Sequence, residues 1–313
     1  MNHSPVRQSI PTAQSYSVAF SPDGTLLACA GVEVELREAS SGKLLATLPE
    51  YHDTDIKIAF TPDGKTLVAA GLQGTAAIFD VATRQLRHSF KANESKIWSV
   101  QVSPDGRSFL TSGGNEDPRL RSWDVETYAP LKTFIGQSNL ANFAVFAPDG
   151  NLISGSGKAM KFWNVRSDHL IRSLPGYAKG FAISPDGKSL AQVVEGNRIK
   201  LRDLVTWEEQ ALLAGHRDLV NELAFSHDGR LLASTSSDGT VKLWQVSSGQ
   251  ELLTIPSKIG VVWCVAFSPD DRTLAFGSGS TAIGRGAVTI LRTAKTRPAT
   301  EAADADTPPK SGK

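Results

Sequence analysis

The sequence predicts an all-β fold, a closed ring of seven units of four antiparallel strands, on three observations. A turn of the Ser-Pro-Asp-Gly kind recurs with its Asp at positions Asp23, Asp63, Asp105, Asp149, Asp186, Asp228 and Asp270, spaced 37 to 44 residues apart. That period, with four short strands per unit, is the signature of a β-propeller blade. The turns join apolar runs of period two, as Leu223-Ala224-Phe225 and Leu231-Leu232-Ala233 are joined in the sixth unit, and such pairs read as hairpins of half-buried strands. Seven units fill the 313 residues, where length alone would suggest two domains. Each unit alone exposes an apolar face, so the units must stack to bury it.

The sixth unit is the most regular. Between Gly215 and Val246 it carries His216, Ser234, Asp238 and Trp244. A buried imidazole needs a partner for each ring nitrogen, and the Asp, the Ser hydroxyl and the indole N–H can close that set into one network. This constellation resembles the WD-repeat family, and the resemblance extends along the chain. It implies a seven-bladed β-propeller in which those four residues are a structural tetrad.

The remaining units keep the plan unevenly. In the first, Val18-Ala19-Phe20 leads through Ser21-Pro22-Asp23-Gly24, where Pro presets the first φ and Gly supplies the left-handed residue. Its third strand ends in Arg37-Glu38 where the family has Trp-Asp. The second keeps Asp80 behind Phe79, with Ala69 and Gln73 at network positions, so no tetrad is expected. The third has Trp123-Asp124, Thr111 and Asp117, with Asn93 in the place of His216. The fourth has Trp163-Asn164 and Ser154, but Gln137 and Gly157 at the His and Asp positions. The fifth is the shortest and has Arg202-Asp203; the seventh has Leu291-Arg292.

The seventh unit lacks a downstream outer strand, since Ala294 to Lys313 is rich in Thr, Pro, Ala and charge. Residues 6–10, Val-Arg-Gln-Ser-Ile, resemble outer-strand segments such as Leu86 to Phe90. They are expected to complete the last blade, pairing an otherwise open sheet edge. The expected organisation is a flexible 1–5, one propeller over 6–293 and a disordered tail over 294–313.

Net charge is +1, from 33 basic and 32 acidic residues. No broad field then exists to hold a polyphosphate backbone or to steer toward an anionic membrane, so neither is expected as a partner. No apolar run reaches the length of a membrane span, and no leader is evident, which points to a cytoplasmic protein. Cys29 and Cys264 fall inside strands, where a thiol behaves as a small hydrophobe. The histidines never pair at metal-ligand spacing and no Cys-x-x-Cys accompanies them, so no metal and no cofactor is expected. The glycine-rich run from Gly277 to Gly286 lacks the ending of a phosphate loop and reads as a flexible hairpin loop. A hydrolase triad of Ser234, His216 and Asp238 is disfavoured because Ser234 lies inside a strand, so no catalytic residue is assigned.

In the family's architecture, the loops that lead into the inner strands and those between second and third strands open on one face, the usual partner face. There the residue five before the turn Ser reads Tyr16, Ile56, Trp98, Asn142, Lys179, Asn221 and Trp263, and two residues earlier stand Gln14, Thr54, Lys96, Leu140, Tyr177, Leu219 and Val261. Large aromatics give much contact area for little entropy loss. The candidate partner-binding residues are Tyr16, Trp98, Tyr177, Trp263 and Arg285, the last on a long loop expected beside Trp263 and Tyr16. The bland reading is that Trp98 and Trp263 pack between blades and close the channel. Trp207 is expected on the opposite face as a packing residue. The resemblance implies a non-catalytic scaffold or adaptor for a protein or peptide, a monomer or part of a larger complex. The alternative is a lactonase- or lyase-like enzyme using the central channel, for which Lys57 and Glu222 are the ionisable groups nearest the axis.

Overall fold

The computed structural model describes residues 6–12, 14–51, 53–114, 116–135, 143–156, 159–175, 180–280 and 284–292. They form seven four-stranded antiparallel sheets, and no helix occurs among the described residues. Blades 1 to 6 each take four consecutive strands, innermost first. Blade 7 takes its three inner strands from Val261–Phe267, Thr273–Ser280 and Arg285–Arg292, and its outer strand is Val6–Thr12. That strand runs two residues beyond the segment expected from sequence, pairing from Val6 with Arg292 to Thr12 with Gly286. The termini 1–5 and 293–313 lie outside the described residues.

The glycine-rich run of blade 7 differs from expectation. It is a ladder more than a loop: Gly277 pairs with Val288, Ser278 with Ala287, Gly279 with Gly286 and Ser280 with Arg285. Glycine is required there because the neighbouring blade comes close. A Cβ on Gly277 would lie 2.5 Å from Cys264 Sγ and 2.6 Å from the Ser15 carbonyl. Cys29 and Cys264 are buried, free thiols in the cluster shared by blades 7 and 1.

Each inner hairpin is fixed by its own turn. In blade 3, Ser103 Oγ donates to Asp105 Oδ1 at 2.6 Å and the Arg107 amide donates to the same oxygen at 3.1 Å. In blades 5 and 6 the pairs Ser184–Asp186 and Ser226–Asp228 repeat this. The hydrogen bonds hold these carboxyls below the usual Asp range, and the aspartates need no metal to explain them.

Two rings of contacts join the blades. Near the channel, the turn glycine of one blade abuts the turn proline of the blade before it at five of the seven junctions: Gly24 on Pro269, Gly64 on Pro22, Gly106 on Pro62, Gly187 on Pro148 and Gly229 on Pro185, whereas Gly150 of blade 4 faces open space. Between blades 6 and 7 both residues have changed. His227 replaces the proline and Asp271 the glycine, and Asp271 accepts from the His227 and Asp228 amides at 2.7 and 2.9 Å and meets the His227 ring at 3.0 Å.

At the rim, each turn between third and fourth strands holds one left-handed residue: Gly42, Arg84, Tyr128, Asp168, Trp207 or Gly249. Each meets the outer strand of the blade before it. Arg84 donates to the Leu45 carbonyl at 3.0 Å, Tyr128 stacks on His88 at 4.5 Å, Asp168 pairs with Lys132 at 2.6 Å, and Arg172 lies 4.6 Å over the Trp207 ring. Gly42 and Gly249 leave room for Ile10 and Ala211. Blade 7 has no such turn, and Arg7 takes its place by donating to the Pro256 carbonyl of blade 6 at 2.8 Å.

Candidate functional site

In blade 6, His216 Nδ1 lies 2.9 Å from Asp238 Oδ2 and Nε2 lies 2.7 Å from Ser234 Oγ, while Trp244 Nε1 donates to Ser234 Oγ at 2.8 Å. A neutral imidazole satisfies every member: Trp244 to Ser234, Ser234 to His216, His216 to Asp238. Burial pushes the His216 pKa down, which favours that form. Burial pushes Asp238 up, but hydrogen bonds from Thr240, the Arg217 amide and His216 outweigh it and hold the carboxyl at about 2. Ser234 is 0% exposed and its oxygen already takes the indole proton, so no substrate reaches it as a nucleophile.

The other blades improvise at the same place. In blade 3, Trp123 Nε1 donates to Thr111 Oγ1 at 3.0 Å, and Arg121 joins the group by pairing with buried Asp117 at 2.7 Å. In blade 4, Trp163 Nε1 donates to Ser154 Oγ at 2.8 Å; Gln137 and Gly157 lie outside the described residues. Blade 2 holds a substitute that sequence reading missed. Asp53, from the loop leading into the first strand, accepts the Gln73 amide of the turn at 3.0 Å, and Tyr51 donates to the Thr75 carbonyl at 3.0 Å. Gly71 permits this, since a Cβ there would lie 2.4 Å from Asp53 Cγ.

At the opposite end of the channel from the Pro-Asp-Gly turns, the aromatic residues are set by a feature that repeat alignment does not reveal. The inner strands of blades 3, 6 and 7 each shift register at one residue, and that residue is Trp98, Asn221 or Trp263. A β-bulge re-aims its side chain out of the pleat. Trp98, Asn221 and Trp263 thereby share one cavity of about 560 Å³ with Phe143, Lys57 and Glu195. Both tryptophans are half-buried, and their buried Nε1 atoms have no hydrogen-bond partner among the described residues. Lys96 Nζ lies 5.9 Å over the Trp98 ring.

Tyr16 meets Trp263 with ring centroids 5.7 Å apart, and its hydroxyl bonds to Gln14. Ile56, at the matching position of blade 2, is instead fully buried in the core and belongs to no rim. Arg285 is exposed, but it opens a strand opposite Ser280 and does not ride on a loop. Its side chain contacts neither Tyr16 nor Trp263 among the described interactions. Tyr177 lies outside the described residues. Trp207 packs edge-on against Phe162 at 4.8 Å. No cluster of three or more metal-ligating side chains occurs among the described residues, and no helix is long and apolar enough to cross a membrane.

Seven four-stranded blades, three of them with a tryptophan hydrogen-bonded to a Ser or Thr of the neighbouring strand, define a propeller of the WD type. The family model described as WD domain, G-beta repeat matches residues 42–80, 84–124, 207–245 and 249–283, and the chain is a WD40-repeat protein. It is 30% identical over 54% of its length to WD repeat and SOCS box-containing protein 1 of Danio rerio, covering 37% of that protein. It is 26% identical over 41% to Target of rapamycin complex subunit wat1 of Schizosaccharomyces pombe, covering 40%. It is 23% identical over 43% to Apoptotic protease-activating factor 1 of Rattus norvegicus, covering 12%. The chain thus spans less than half the length of these relatives. Fold and relatives are those of protein-interaction scaffolds in general.

Proposed function

We propose that the chain is a non-catalytic scaffold or adaptor that holds a protein or peptide partner at the channel mouth, with Tyr16, Trp98 and Trp263 as anchors and Arg285 at the outer margin. The observation that carries this reading is the pair of bulged tryptophans turned into one cavity. Half-exposed indole faces suit a partner that brings apolar surface to the channel mouth. One relative is by name a subunit of a complex, which agrees with work in an assembly. Channel chemistry is the weaker reading, because Lys57 Nζ is already committed to the Tyr16 carbonyl at 2.9 Å and to Asp55 at 3.4 Å.

The test is affinity capture from a native extract with the intact chain and with a Trp98→Ala, Trp263→Ala double variant whose fold is checked by circular dichroism. A protein retained by the first and lost by the second supports the reading. Equal retention by both removes the rim from it.

A further inference from the structure

The two tryptophans of the channel mouth sit in bulges that are held differently. Trp263 stands between two side-chain grips from blade 6. Asn221, itself the bulged residue of the neighbouring inner strand, donates from Nδ2 to the Val262 carbonyl at 2.8 Å. The next residue, Glu222, accepts the Val265 amide through Oε2 at 3.0 Å. One side chain thus takes the carbonyl just before Trp263 and the other takes the amide two residues after it, on the strand whose register shifts at Trp263. Trp98 has no such side-chain grip from blade 2 among the described interactions. Blade 2 has Ile56 at the matching position, buried in the core and without a polar group. Its bond to the strand of Trp98 is main chain, from the Ile97 amide to the Gly71 carbonyl at 3.1 Å.

We propose that Asn221 is the positioning residue of Trp263: its amide fixes the peptide plane between Val262 and Trp263 and so aims the indole into the cavity that the partner enters. The inference rests on the rim being the partner face. A bulged residue lies outside the ladder, so the direction of its side chain depends on what holds the peptides on either side. A buried carbonyl needs a donor, and the Asn221 amide supplies one across the blade boundary. That amide is itself oriented from behind, because Ser237 Oγ accepts from Nδ2 at 3.3 Å and donates to Oδ1 at 3.4 Å. On its far side the indole meets the Tyr16 ring of blade 1. Trp263 is therefore set between a hydrogen-bonded peptide on one blade and an aromatic face on another.

The test reads the tryptophans directly and needs no partner. The full chain is labelled at its tryptophan indole nitrogens, and the two resonances are assigned by their loss in Trp98→Phe and Trp263→Phe. Asn221→Asp keeps the shape of the side chain and removes its donor; Asn221→Leu keeps most of the volume and removes every polar contact. The expected result is a displaced Trp263 signal in both variants, with Trp98 moved less and the Trp163 indole of blade 4 unmoved. A Trp263 signal that stays in place in Asn221→Asp, or that moves no more than that of Trp98, overturns the proposal. If neither variant folds by circular dichroism, the intact chain decides: the Asn221 side-chain amide should exchange with solvent about 10-fold or more slowly than that of free asparagine, and equal rates overturn the proposal. Affinity is read separately. The captured partner should bind both variants about 5-fold more weakly, the worth of one net hydrogen bond passed on through Trp263. An unchanged affinity beside a displaced Trp263 upholds the positioning and removes the rim as the partner face.

Discussion

Blades 5 and 6 stand side by side with the same strand order and the same capped turn, yet they are held together differently. Blade 6 closes on itself through Trp244, Ser234, His216 and Asp238. Blade 5 has Arg202 where blade 6 has Trp244; its Nη1 reaches the Trp207 carbonyl at 3.4 Å and its Nε has no hydrogen-bond partner among the described residues. What secures blade 5 is its neighbour: Trp207, left-handed at φ 66°, leans on Phe162 and under Arg172 of blade 4. The tetrad is thus one way of stiffening a blade and not a condition for forming one. The turn aspartate and the contacts between blades are what the two share.

The contrast breaks most sharply in blade 6. Ser234→Ala leaves His216 Nε2 and Trp244 Nε1 buried without partners, at about 1–3 kcal/mol for each orphaned group. Urea unfolding should show a total loss of about 2–6 kcal/mol. Trp207→Ala removes the ring stack and the cation contact and should lose about 2 kcal/mol. Its signature is regional: amide exchange should quicken in blades 4 and 5 and stay unchanged in blade 6. Gly249→Ala forces a left-handed alanine whose Cβ lies 2.9 Å from that of Ala211, and a drop of about 1 kcal/mol in the same assay is expected.

The effects of pH have opposed signs. The lowered carboxyls, Asp238 at about 2 among them, contribute stability that is present above the ordinary Asp value and lost as pH falls toward their own. Asp238→Asn should therefore flatten the acid limb of the melting-temperature profile. Glu222 is raised, so its contribution is present below the ordinary Glu value and lost as pH rises toward about 7. Glu222→Gln should melt higher than the parent above neutrality and little differently in mild acid.

The ring was legible in the sequence because its turn is local chemistry: Ser, Asp and Gly within four residues contain nearly all the hydrogen bonds they need. The closing strand at Val6–Thr12 was legible because its residues resemble other outer strands. The ladder from Gly277 to Ser280 was not, since glycine there answers to Ser15, which is far away in the chain. Nor were the bulges at Trp98 and Trp263 legible, because a register shift belongs to two strands at once. The substitute at Asp53 was hidden because the carboxylate comes from another segment than the one aligned. The exchange of His227 for proline and Asp271 for glycine did leave a signal, since both breaks fall in adjacent repeats.

The most direct measurement is the affinity of the captured partner for variants on the two ends of the channel, compared with the intact chain. Trp98→Ala or Trp263→Ala should weaken binding by about 30-fold or more, as a hot-spot residue does, while Trp207→Ala on the other face should change it by less than about 3-fold. The reverse order would contradict a partner seated on the bulged tryptophans and would move the working surface to the outer seam of blades 4 and 5.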